Sequence, residues 1–206
     1  DSKQILFGDL HVHTTFSTDA FWWSLPILGG EGVHPMADAC DYARYCSSID
    51  FWAITDHAEA STPRKWTETK DFIRQCSKVN GEESNDVIPF IGFEWTQVGS
   101  LPEDHYGHKN VIFKDLEDDK LAKRPIGSGG VATNSLRLNS NALMPKVVGI
   151  LDIKKFTHYS DFQYFVNEIR GIPFCDENSP SNELEEGCYE FANTPGDLVR
   201  KLEEQF

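Results

Sequence analysis

Short apolar runs alternating with helix-like segments constrain this chain more than any other feature. "ILF" (5–7), "DFWAITDH" (50–57) and "VIPFIGFEW" (87–95) are bounded by charged or turn residues and read as buried strands. Between the first two, Met36, Ala39, Cys40, Ala43 and Cys46 recur at helical spacing behind Pro35, a residue favoured in a first turn. Between the next two, Thr62 is a candidate N-cap with Pro63 behind it, and Trp66, Thr69, Phe72, Ile73 and Cys76 fall along one side. Strand, helix, strand, helix, strand predicts an α/β fold with parallel pairing, because parallel neighbours need a long crossover. "NVIF" (110–113) and "VVGIL" (147–151) read as later strands. The stretch 115–141 is charged, then rich in Gly and Ser, and reads as an insertion or long loop. "NTPGDLVRKLEEQF" opens with Thr194, Pro195 and Asp197 and reads as a helix to the last residue. With 206 residues, the prior is a single domain, 1–206, with a substantial core.

Charge narrows the partners. Asp and Glu outnumber Lys and Arg by 33 to 19, for a formal net charge of -14, so the average field repels nucleic acid and anionic membranes. No apolar run approaches the roughly 18 residues that span a bilayer. A small-molecule substrate is the expected partner. The five Cys are an odd number, so any disulfide scheme leaves one thiol over. Cys175 and Cys188 flank a polar stretch that a bridge would staple; two unrelated buried thiols are the alternative. This cysteine usage leans towards an oxidising compartment, periplasmic or secreted.

In parallel α/β folds the chemistry collects in the loops at the carboxyl ends of the strands. His11 and His13 follow the first run, Asp56 and His57 close the second, and Glu94 lies near the end of the third. Imidazole nitrogen and carboxylate oxygen are ligands that Zn, Mn and Fe share, and several of them are costly to bury together without a cation. Asp19, in the Ser- and Thr-rich loop, either folds back over the same pocket or caps a turn. His57 reads as a ligand, and with Asp56 it forms the candidate catalytic pair. Asp9 and Asp56, each close to a ligand His, can accept an imidazole N–H and fix its tautomer. His108 precedes an apolar run instead of following one and competes with His105, so spacing alone makes it a weak candidate. His34 and His158 have no partner in sequence and read as structural or exposed. Phe21, Trp22 and Trp23 either line a substrate pocket or pack on the rim.

Taken together, "GDLHVHTTFSTDA", "DFWAITDHAE", "GFEWT" and "GHKNVIF" resemble the PHP superfamily, named for polymerase and histidinol phosphatase. The wording resembles an uncharacterised, often exported branch of it. The resemblance implies a distorted seven-stranded, TIM-like (β/α) barrel with two or three divalent ions (Zn, Mn or Fe) at the strand ends. It implies the ligands His11, His13, Asp19, His57, Glu94 and His108, and hydrolysis of a phosphate ester by metal-activated water. A catalytically inactive metal-stabilised domain and a metal-dependent amidohydrolase are the alternatives. It also implies two disulfides, Cys46 with Cys76 and Cys175 with Cys188, with Cys40 left over. A further His and a closing Asp-x-His of that pattern do not occur here. The chain is therefore expected to be the amino-terminal part of a longer protein, an incomplete barrel that meets the remainder of its chain or a self-association partner.

Overall fold

The computed structural model describes residues 3–79, 81–84, 86–138 and 152–206. The fold is α/β, built on an open four-stranded sheet. Chain order gives β1 (Gly8–Val12), α1 (Thr18–Trp23), α2 (Met36–Asp41), β2 (Phe51–Ile54), α3 (Pro63–Cys76), a small hairpin of β3 (Lys78–Val79) and β4 (Glu82–Glu83), β5 (Ile88–Gln97) and β6 (Gly107–Phe113). The sheet order is β1-β2-β5-β6; β1, β2 and β5 run parallel, as the crossovers α2 and α3 require, and β6 returns antiparallel. The sheet curls strongly enough that Asn110 Nδ2, on the β6 edge, donates to the Leu10 carbonyl on the β1 edge at 2.9 Å. Two edges that a flat sheet would hold apart thus meet across one end, and the architecture is that of an incomplete barrel.

The α3 reading holds in detail. Thr62 Oγ1 accepts from Lys65 N, Pro63 opens the first turn, and Trp66, Thr69, Ile73 and Cys76 are buried on one side. They pack on Trp52, Ile54, Ile91, Phe93 and Trp95, all essentially inaccessible. Each such side chain contributes roughly 1.5–3 kcal/mol by leaving water. Trp66 Nε1 donates to Ala122 O and Trp95 Nε1 to Ala192 O, so two of the indoles pair their polar edge inside the core.

Four expectations are corrected. "ILF" is neither strand nor core: Ile5, Leu6 and Phe7 are exposed, and β1 begins only at Gly8, at the edge of the four-stranded sheet among the described residues. The stretch 115–138 is not a structureless loop; β7 (Ile126–Ser128) lies in it, fully buried, followed by the short helix α4 (Val131–Thr133). After α5 (Phe156–Gly171), β8 (Glu190–Ala192) pairs with β7 in parallel. A three-residue strand is too short to show a period, which is why charge and glycine dominate its reading. The last helix, α6 (Pro195–Glu204), is capped by Thr194 as expected and stops short of the last residue.

The fourth correction concerns cysteine. Cys40, not Cys46, pairs with Cys76, and Cys46 is an exposed free thiol. The helix changes to wider π winding over Tyr42–Cys46, so the position three residues after buried Ala43 no longer returns to the buried side. Cys175 is bridged to Cys188. Two disulfides fit an oxidising, extracytoplasmic environment. The apolar run 147–151 lies outside the described residues, and among the described residues no helix is long and apolar enough to cross a membrane.

Candidate metal centre

Residues i and i+2 of an extended chain share a face, so the "HVH" at the end of β1 aims both imidazoles the same way. His11 and His13 lie with ring centroids 4.8 Å apart, and each Nε2 stands 3.0 Å from Glu94 Oε2. Glu94 comes from the middle of β5, two strands away, and is wholly buried. The Glu94 backbone N–H donates to the Asp56 carbonyl at 3.1 Å, which sets its level beside the end of β2. His57, just past that end, stands 3.7 Å from Glu94 Oε2 by its Nδ1 and 3.4 Å from Asp19 Oδ2 by its Nε2. Asp19 sits in the first turn of α1 and reaches His13 Nδ1 at 3.8 Å.

His108 completes the set by a route that strand-end reasoning misses. Because β6 is antiparallel, its beginning lies beside the carboxyl ends of the parallel strands, with His108 opposite Thr96 in register. Its Nδ1 contacts Glu94 Oε1. Three overlapping groups result, each with ligand atoms within 4.8 Å of one another: His11, His13 and Glu94; His13, Asp19 and His57; His57, Glu94 and His108. Two ligands about 2.1 Å from one tetrahedral ion stand about 3.4 Å apart, so donor separations of this order fit a first-row divalent cation. The three groups can hold one to a few such ions.

The supporting groups differ from those expected. Asp9 Oδ1 accepts the backbone N–H of His11, and the Asp56 carboxylate accepts both the backbone N–H and the hydroxyl of Thr14. Asp56 thereby ties the β1 turn to β2, and burial pushes its carboxyl up. The imidazoles are oriented instead by Ser17, whose Oγ is 2.7 Å from His13 Nδ1, and by Thr96, whose Oγ1 is 2.9 Å from His57 Nδ1 and 3.2 Å from His108 Nδ1. Glu59 adds a buried carboxylate: Oε1 accepts from Thr96 N and Ser128 N, while Oε2 lies 3.6 Å from His57 Nδ1. The signal for Glu59 was a carboxylate two residues past His57 in the small-residue run "HAEA". Ser17 and Thr96 carry none, since Ser and Thr occur in every loop and strand. His34 pairs with Asp38 at 3.5 Å, His105 lies near the Gly99 carbonyl, and His34, His105 and His158 belong to none of the three groups.

Electrostatics show which charge the cluster favours. Burial alone would lower the His57 imidazole, yet its contacts with Asp19 and Glu59 and the nearby Glu94 charge push it up to about 10. Burial would raise Glu94, but His13, His57 and His108 hold it down to about 2. Asp19 is likewise lowered against its own burial by His57 and His13. Anionic oxygens here demand positive charge, from protons or from a metal.

A pH dependence follows for metal-free protein. A folded-state His57 value of about 10 against an ordinary 6.5 gives stability that is complete below 6.5 and lost as pH rises through 10. Glu94, lowered from 4.5 to about 2, gives stability that is complete above 4.5 and lost as pH falls through 2. Chelator-treated protein is therefore expected to melt higher at about pH 6 than at about pH 10. His57→Gln should shrink that difference; an unchanged difference in this variant would rule out His57 as its source.

Among the described residues, two larger cavities border the cluster. One of about 490 Å³ is lined by His11, His13, His34, Tyr42 and Trp52. The other, about 410 Å³, is lined by Asp19, Trp22, Trp23, His57 and His108. The His11 and His108 side chains are half-exposed, so solvent reaches the cluster from these sides.

Compared with known proteins, residues 1–87 match the profile of a family described as proteins of unknown function, DUF3604. The match takes in β1, α1, β2 and α3, and with them His11, His13, Asp19 and His57; Glu94 and His108 lie beyond it. No curated protein and no solved structure matches the chain.

Proposed function

We propose that this chain is a metal-dependent hydrolase of the PHP type, acting on phosphate esters in the periplasm or outside the cell. The observation that carries the reading is Glu94, a carboxylate with no solvent exposure whose two oxygens face His11, His13, His57 and His108. His11, His13, Asp19, His57, Glu94 and His108 are the residues that would hold two or three ions of Zn, Mn or Fe. When bound, the ions would supply positive charge for an anionic ester and lower the pKa of a coordinated water.

The chain's own residues divide the remaining work. His11 and His13 hold the β1 side, His57 and Asp19 the opposite side, and Glu94 joins them. Ser17 and Thr96 fix the ring orientations, and Glu59 faces the His57 Nδ1 edge, leaving Nε2 directed at Asp19. Asp56 is assigned to holding the Thr14 turn and His57 to the ligand set, so no protein nucleophile is invoked. The motif resemblance supports phosphorus as the electrophile. With a net charge of -14, the protein repels an anionic substrate except where bound cations reverse the local sign.

Elemental analysis of the purified protein, followed by a phosphomonoester and phosphodiester screen, tests this directly. Two or more transition-metal equivalents are expected, lost together in His11→Ala/His13→Ala. A chain that takes up no metal from excess Zn, Mn or Fe would sink the reading.

A further inference from the structure

We propose that Trp22 and Trp23 form the binding wall for a flat apolar leaving group, so that the substrate is an aryl ester and not a sugar or alkyl phosphate. This rests on the hydrolase reading above. Asp19, Trp22 and Trp23 stand at i, i+3 and i+4 of α1, and side chains at that spacing share a helix face. The helix that delivers a carboxylate to His13 and His57 therefore delivers two indoles to the same opening.

The anchoring of α1 separates its aromatics by role. Phe21 is buried against Phe162 and Phe165 at centroid distances of 5.3 and 5.1 Å, fixing the helix to α5. Trp22 leans on Phe162 at 5.4 Å and stays 40% exposed; Trp23 is 66% exposed. Such indoles are surfaces available to a ligand, and here they border a 410 Å³ cavity of small-molecule size. Leu136 adds a further apolar side, while Asp19, His57 and His108 form the polar end where the reacting group would sit.

What the wall lacks is equally selective. Among the described residues lining this cavity there is no Lys or Arg to pair with a carboxylate or a second phosphate. Thr96 and Glu59 are engaged with the imidazoles and backbone amides and the Thr18 hydroxyl is buried, which among the described lining residues leaves the Ser135 hydroxyl. One hydroxyl is too few to satisfy a sugar ring, whose several buried OH groups would each cost free energy unpaired.

Calorimetric titration with benzylphosphonate and ethylphosphonate, with and without Zn or Mn, separates this proposal from the reading beneath it. Neither ligand is an ester, so the readout does not depend on turnover. Benzylphosphonate is expected to bind the metal-loaded protein about tenfold or more tighter than ethylphosphonate. Trp23→Ala should cut that advantage roughly 3- to 10-fold, and Trp23→Phe should keep most of it. Equal, metal-dependent affinity for the two ligands would overturn the aryl wall and leave the hydrolase reading in place. A benzyl preference that owes nothing to metal would support the wall and count against the phosphoesterase reading. Failure of both ligands to bind under any condition would remove both.

Discussion

Under the hydrolase function proposed above, Glu94→Gln is expected to strip the protein of metal and lower phosphoester turnover at least about 10³-fold, equivalent to about 4 kcal/mol of transition-state stabilisation. The size follows from how much converges on one carboxylate. His11 Nε2 and His13 Nε2 each stand 3.0 Å from the same oxygen, Oε2, while His108 meets Oε1, so loss of the anion touches two of the ligand groups at once. Glutamine preserves the shape of a side chain that lies wholly inside the sheet, which keeps the packing comparable. Its amide also removes a negative charge from beside several imidazoles, where a cation is otherwise favoured. Metal content and rate should therefore fall together at an unchanged circular-dichroism spectrum. Full metal content with full rate in this variant would exclude Glu94 as the shared ligand.

Much of this centre was legible because strand ends and ligand residues coincide in the sequence. "HVH" and "TDH" announce themselves at the ends of β1 and β2, and Glu94 stands out as a charge inside an apolar run. His108 did not, for a topological reason. A histidine at the start of a strand reaches the same crevice only if that strand is antiparallel, and single-sequence patterns do not carry pairing direction. Ser17 and Thr96 were hidden for another reason: their roles come from ring geometry, Ser17 lying 4 positions from His13 and Thr96 39 and 12 positions from His57 and His108, while Glu59 was marked only by its nearness to His57 and its contacts to Thr96 and Ser128 span 37 and 69 positions. The same applies to β7 and β8, which recognise each other across a long interval and are each three residues long. "ILF" misled because apolar character alone does not distinguish a core strand from an exposed segment leading into an edge.

The pairing of Cys40 with Cys76 makes the second large effect one of stability. Their Cα atoms are 6.1 Å apart, and the bond joins α2 to α3 across a sequence separation of 36. Closing a loop of that length in the unfolded chain is worth about 4 kcal/mol by the chain-entropy estimate, against about 3 for the shorter Cys175–Cys188 loop. Cys40→Ser/Cys76→Ser is accordingly expected to lower the melting temperature by roughly 8–16 °C for a domain of this size. Burial sharpens the contrast: Cys40 and Cys76 are both nearly inaccessible, so the serines would also place hydroxyls in an apolar cluster. Cys46→Ser should leave the melting temperature where it was, because that thiol is exposed and unbridged. Under denaturing, non-reducing conditions one thiol per chain should react, and it should be lost in Cys46→Ser. Were Cys46 instead the partner of Cys76, both results would invert: Cys46→Ser would destabilise the fold, and it would expose Cys76 as a new thiol beside the free Cys40.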